Sequence, residues 1–218
     1  MDRTFGGRPA PAYLWSKKIV PLLKCDKGLA EERDGCQVMK EIPNLEKTLA
    51  RAKLLGVAGT KMRSRIAAAN EEGIKSVVKQ QFEIAKRICK CGLVPIIEPE
   101  VDAFIEDKGH AEEILLNALH AELHQLASNE LIMLKLTLPD IEDLYASCVA
   151  HPNVVRVLAL SATPGTDVRK VQDVVRNLRV HRVEARDHDD PEVKKHMHAR
   201  MHEVIRCEPN DAVRGLLA

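Results

Sequence analysis

The fold class that this sequence predicts is α/β, a parallel sheet covered by helices, and three observations predict it. Short apolar runs alternate with longer amphipathic segments from Ile19 to Leu160. The runs are mostly continuous rather than apolar at every second position, the pattern of strands buried on both faces. Charged residues recur near the ends of four runs at a fixed interval: Lys24, Lys61, Glu98 and Lys135 are each 37 residues from the next. A strand and helix repeated in step implies strands that run the same way.

The runs are IVPLLKCD at 19–26, VAGTKM at 57–62, LVPIIEPE at 93–100, LIMLKLT at 131–137 and VVRVLAL at 154–160. Each is short enough for a strand and bounded by turn-forming or polar residues. The clearest helix follows Asn70, whose side chain suits an N-cap. Ile74, Val77, Val78, Ala85 and Ile88 then form one stripe, and Gly92 stands where a helix ends in left-handed backbone. A second helix is expected from Glu112 to Leu126, with Ile114, Leu115, Ala118 and Leu119 on one side.

In a (β/α)8 barrel the C-terminal strand ends converge on one mouth, and residues two apart on a strand face the same side. Lys24 with Asp26, Lys61 with Arg63, and Glu98 with Glu100 would then project toward one centre. An open doubly wound sheet is the alternative, with its site at a switch point. The run LIMLKLT sets a lysine inside an apolar strand. Among other cations and away from water, Lys135 is expected to favour its neutral amine, a nucleophile able to form a Schiff base with a ketone. Glu98 or Glu100 would carry the protons, and Lys24, Lys61 and Arg63 would hold phosphate or polarise hydroxyls. On residues alone the bland reading stands beside this one: strand-end lysines commonly snorkel to water or pair at the surface.

Composition excludes several classes. Of 218 residues 45% are hydrophobic, which argues against a disordered chain. Thirty-three basic and thirty-two acidic residues leave a formal charge of +1, giving no general attraction to nucleic acid or anionic membrane. The six cysteines follow no zinc-knuckle spacing and are expected as reduced thiols. No apolar stretch reaches the length needed to span a bilayer, and the first residues lack the apolar core of a secretory signal; the chain is expected in the cytoplasm, a plastid being the alternative.

The segments YLWSKKIVPLLKCDKGLAEERDG, GTKMRSRI, GLVPIIEPEVD, LIMLKLTLP and HPNVVRV resemble successive strand motifs of class I fructose-bisphosphate aldolase over about residues 1–160. The resemblance implies a partial TIM (β/α)8 barrel with about five strands secure. It also implies reversible cleavage of fructose 1,6-bisphosphate to dihydroxyacetone phosphate and glyceraldehyde 3-phosphate, with no metal or organic cofactor. Lys135 would be the Schiff-base lysine, Glu98 the proton-transferring carboxylate with Glu100 beside it, and Lys61 an active-site lysine. Lys24, Asp26 and Arg63 would line the substrate and its phosphate, as would Ser161. The implied partner is a phosphorylated sugar, and a homo-oligomer is left open.

Two departures qualify the resemblance. The family's chain begins before the point at which Met1 aligns, so two strands and a catalytic aspartate are expected to be missing and turnover to be weak or absent. After Ser161, Ala162 and Thr163 stand where the family has phosphate-binding glycines. From about residue 157 to 205 the sequence instead resembles the motif III region of Fanconi anaemia group M and Hef-type DNA helicases. The nucleotide-binding GKT loop and acidic box of such motors do not occur in the chain. The expected organisation is therefore an aldolase-like unit at 1–160 and a helicase-like segment at 161–218 that is no motor. A DNA-binding or partner-binding fragment acting through that segment is the rival function. His198 and His202, four apart, lack the accompanying glutamate of a metal-binding helix, and no metal site is expected.

Overall fold

The computed structural model describes residues 1–161 and 183–185. A small antiparallel hairpin, β1 (Thr4–Phe5) and β2 (Arg8–Pro9), leads into the short helix α1 (Ala10–Ser16). Then follow β3 (Leu22–Lys24), β4 (Cys36–Gln37), α2 (Leu45–Leu54), β5 (Gly59–Ile66), α3 (Glu71–Lys90), β6 (Val94–Val101), α4 (Lys108–Leu123), β7 (Ile132–Thr137), α5 (Ala146–Ala150), β8 (Val154–Ser161) and β9 (Val183–Ala185). The main sheet runs β3-β5-β6-β7-β8-β9 with every neighbour parallel, and β4 adds antiparallel to the end of β5. The expected parallel α/β sheet is thus present. It is an open part of a barrel among the described residues, with β3 and β9 at the ends of the path.

Each helix forms for reasons visible in its residues. α3 starts where Asn70 accepts a hydrogen bond from Gly73 N–H at 2.9 Å, and Glu71 and Glu72 oppose the positive end of its dipole. Its stripe of Ile74, Val77, Val78, Phe82, Ala85 and Ile88 is buried against the sheet, and Gly92 takes φ +70° to turn the chain into β6. α4 begins at Lys108, four residues before the predicted start, because Lys108 itself is buried by ion pairs that a hydropathy pattern cannot register. α2 has no counterpart among the expected elements; it buries Leu45, Leu49 and Ala52.

The core lies between the sheet and its outer helices. On β5, Thr60, Met62, Ser64 and Ile66 face that core, while Lys61, Arg63 and Arg65 face the other way. The same alternation sends Ile97, Pro99 and Val101 of β6 outward to the helices and Glu98 and Glu100 inward. Residues 162–182 and 186–218, including the histidines of the tail, lie outside the described residues.

Candidate active site

Three rungs of opposite charge connect β5 to the residues of β6 and just beyond it. Lys61 Nζ lies 2.5 Å from Glu98 Oε2. Two residues on, Arg63 donates to both oxygens of Glu100, at 2.5 and 3.0 Å. Two further on, Arg65 meets Asp102 at 2.5 Å. Parallel pairing sets this order, since Arg63 and Arg65 pair with Glu98 and Glu100 in register and each cation reaches diagonally to the next acid.

The second oxygen of Glu98 faces the next strand. Lys135 Nζ of β7 stands 3.3 Å from Glu98 Oε1, so one buried carboxylate lies between the Nζ atoms of two lysines. The side chains of Glu98, Lys135 and Lys61 are 2%, 10% and 23% exposed. The expected environment of Lys135 therefore needs a correction: an acid, Glu98, stands against its amine. Glu100 is engaged by Arg63, and Glu98 lies 3.3 Å from the Lys135 amine. The Glu100 carboxylate raises the pKa of the Arg63 guanidinium above its ordinary value through their hydrogen bond, against burial, which acts the other way. Arg63 is a permanent cation at the mouth.

Lys24 pairs in register with Lys61, placing the two lysines side by side on neighbouring strands. It bonds Asp26 at 2.5 Å, and Asp26 also accepts from Gly28 N–H at 3.1 Å. Arg156, which the sequence reading did not single out, pairs with Met133 while Leu158 pairs with Lys135. It thus shares the Lys135 face of the sheet, one step deeper. Ser161 ends β8, and its side chain lies outside what is described.

Strands β6 and β7 are in register only at Ile96 with Met133 and Ile97 with Leu134. The Glu98 N–H donates to Oε1 of Gln81 on α3, at 2.9 Å. Pro99 has no N–H with which to continue the ladder, and further along Thr137 Oγ1 donates to Val101 O at 2.8 Å. Above them α4 clasps both adjoining loops. Asp107 accepts from Ala69 N–H at 2.9 Å, and Lys108 donates to Leu138 O at 2.9 Å while pairing with Glu112 at 2.7 Å and Asp140 at 2.6 Å. Burial pushes the Glu112 carboxyl up, opposed first by the Lys108 hydrogen bond.

Gln81 and Arg65 were missed by sequence reading. The signal for Gln81 was a polar residue between Val78 and Phe82 on a buried stripe; for Arg65 it was the two-residue step after Lys61 and Arg63. Among the described residues no group of three histidine, cysteine or acidic side chains is placed to hold a metal, and no helix is long and apolar enough to cross a membrane.

No family model matches. The chain is 53% identical over 162 residues to a class 1 fructose-bisphosphate aldolase of Synechocystis sp., a match covering 74% of this chain and 54% of that relative. It therefore spans about half the length of the curated relative. Among solved structures it is similar to a fructose-bisphosphate aldolase from Plasmodium falciparum, crystallised in complex with TRAP and a small-molecule inhibitor. That likeness has a TM-score of 0.63 at 18% identity, over 93% of this chain and 70% of the other. The chain is thus homologous to class 1 fructose-bisphosphate aldolase and has the fold of part of its barrel. The comparisons do not support the helicase-like resemblance of the tail or the rival function built on it.

Proposed function

We propose that this chain carries the Schiff-base chemistry of a class I fructose-bisphosphate aldolase, with Lys135 as the covalent residue. The substrate of this reading is fructose 1,6-bisphosphate, cleaved reversibly to dihydroxyacetone phosphate and glyceraldehyde 3-phosphate. The observation that carries it is a buried carboxylate, Glu98, held between the amines of Lys61 and Lys135.

The chemistry follows from that arrangement. Glu98 accepts a proton from Lys135, and the freed amine attacks the ketone carbon, forming a carbon–nitrogen bond as the carbonyl oxygen takes up a proton. Glu98 returns its proton to the departing hydroxyl, which leaves as water, and an iminium remains. The Glu98 carboxylate then takes the proton of the hydroxyl beside the breaking carbon–carbon bond, whose electron pair passes to the iminium, so the ketose splits into an aldehyde and an enamine. Protonation of the enamine and hydrolysis regenerate Lys135. Lys61 keeps Glu98 aimed at the reacting nitrogen, and Arg63 and Lys24 offer fixed and mobile positive charge to phosphate. The reading places the protein in the cytoplasm with the sugar phosphates.

A partial reaction tests the proposal even if cleavage is slow. In deuterated water, dihydroxyacetone phosphate should exchange one hydrogen on the carbon beside its carbonyl, followed by proton NMR. Exchange should survive EDTA and vanish in Lys135→Arg. A folded wild-type chain that causes no exchange above buffer would refute it.

A further inference from the structure

We infer that three histidines at the base of β7 and β8, His120, His124 and His151, form an acid-sensitive latch: the neutral His151 ring holds the corner from which both strands start, and a proton on its Nδ1 releases it. This is independent of the aldolase reading. His120 is in the last turn of α4 and His124 follows its end, with ring centroids 6.0 Å apart; the His151 ring, just past α5, lies edge-on to His124 at 5.9 Å. Nε2 of His120 lies 2.8 Å from Ser147 Oγ, and His124 Nδ1–H donates to His120 O at 2.6 Å. Those bonds survive protonation, because a hydroxyl can accept as well as donate. The third does not: His151 Nδ1 accepts the Asn153 N–H at 3.3 Å, and a ring nitrogen that has bound a proton accepts nothing.

What Asn153 holds makes that bond matter. Asn153 is buried, its Nδ2 donates to Ala127 O at 2.6 Å and to Glu130 O at 3.1 Å, and its carbonyl accepts the Ile132 N–H at 2.9 Å. One residue thus ties the loop between α4 and β7, and the first residue of β7, to the start of β8. The ladder gives this corner little help. The register of β7 on β8 shifts between Ile132, which pairs with Val154, and Met133, which pairs with Arg156. A proton on His151 Nδ1 would leave the buried Asn153 N–H without its acceptor and set a charge beside two more imidazoles. From α4 the groups acting on His151 are His124 and His120; on the intervening loop the Glu130 carboxylate accepts from Ala127 N–H at 2.9 Å, and on α5 the Cys148 thiol stays neutral. Burial, then His124 and His120, lower the His151 pKa from its ordinary value. The unfolded ring binds its proton near about pH 6.5, so the latch is fully made above that pH and loses stability as pH falls from there toward the lower folded value.

Amide hydrogen exchange of the full chain, followed by NMR at about pH 7.5 and about pH 5.5 and corrected for the intrinsic rates, tests this. Protection of the Asn153 and Ile132 amides should fall by about three- to tenfold at the lower pH, the range that one pH unit below the ordinary histidine value allows, while the amides of β5 keep theirs. His151→Asn should hold its protection at both pH values, because a short side-chain amide accepts an N–H two residues on and does not titrate. His151→Leu, which has no acceptor, should show the low protection at both. Wild-type Asn153 and Ile132 amides that change no more than those of β5, or a His151→Asn chain as pH-sensitive as the wild type, overturn the latch. The wild-type ring decides the matter even if neither variant folds: its NMR titration should have a midpoint below about 6.5, and a midpoint at or above that value overturns the inference.

Discussion

Lys24 and Lys135 occupy matching places at the ends of two parallel strands, yet the sheet treats them differently. Lys135 is on β7 with a strand on either side, and its side chain is 10% exposed against a buried carboxylate. Lys24 is on β3, an end of the sheet among the described residues, and its side chain is 62% exposed while pairing with Asp26. The same residue type at the same repeat position is confined beside a buried acid in one case and largely in water in the other. What separates them is the second neighbouring strand, which supplies Glu98 and excludes water. On the proposed reading, chemistry belongs to the middle of this sheet, and its edge supplies charge.

Breaking the central lysine should have the largest effect. Lys135→Arg keeps a cation but removes the nucleophile, and mass spectrometry should detect no covalent adduct. Glu98→Gln should slow adduct formation by about 10²–10⁴-fold, the usual worth of a positioned proton carrier, in stopped trapping time courses. Lys108→Met should destabilise the fold by about 3–5 kcal/mol in urea titrations, because it leaves Glu112 buried without its cation. Lys24→Met should cost no more than about 1 kcal/mol in the same titration, since a wet ion pair contributes little, and should raise the half-saturating phosphosugar concentration.

A smaller effect sharpens the contrast between the buried core and its exposed edge. Burial pushes the Cys148 thiol up to about 12 from 9.0, and the Cys89 thiol up to about 12 as well. In the unfolded chain both titrate near their ordinary value, so each favours the folded state fully below about pH 9. That contribution is lost as pH rises from there through about 12. Urea midpoints should hold from neutrality to about pH 9 and decline above it, and a decline beginning near neutrality would contradict the burial of these thiols.

Much of this was legible in the sequence because both signals involved are periodic. The 37-residue step located Lys24, Lys61, Glu98 and Lys135, and the two-residue alternation gave Arg63 and Glu100 the same face as their neighbours. Other features were hidden because they depend on partners distant in the chain. Nothing local to Gln81 announces that it bonds a strand 17 residues away, nor does Lys108 reveal that Asp140 will bury it. The early start of α4 was missed for the same reason. Which acid meets which cation was also illegible, since the diagonal reach between parallel strands depends on register and not on spacing. The helicase-like reading of about 157–205 meets the structure only in β8 and β9.

The most direct measurement is to reduce the chain with borohydride in the presence of dihydroxyacetone phosphate and map the modified peptide by mass spectrometry. The account predicts one stable adduct on Lys135, absent from Lys24 and Lys61 although both are more exposed. A folded chain with no adduct, or one modified at Lys24 or Lys61 in preference to Lys135, would contradict it.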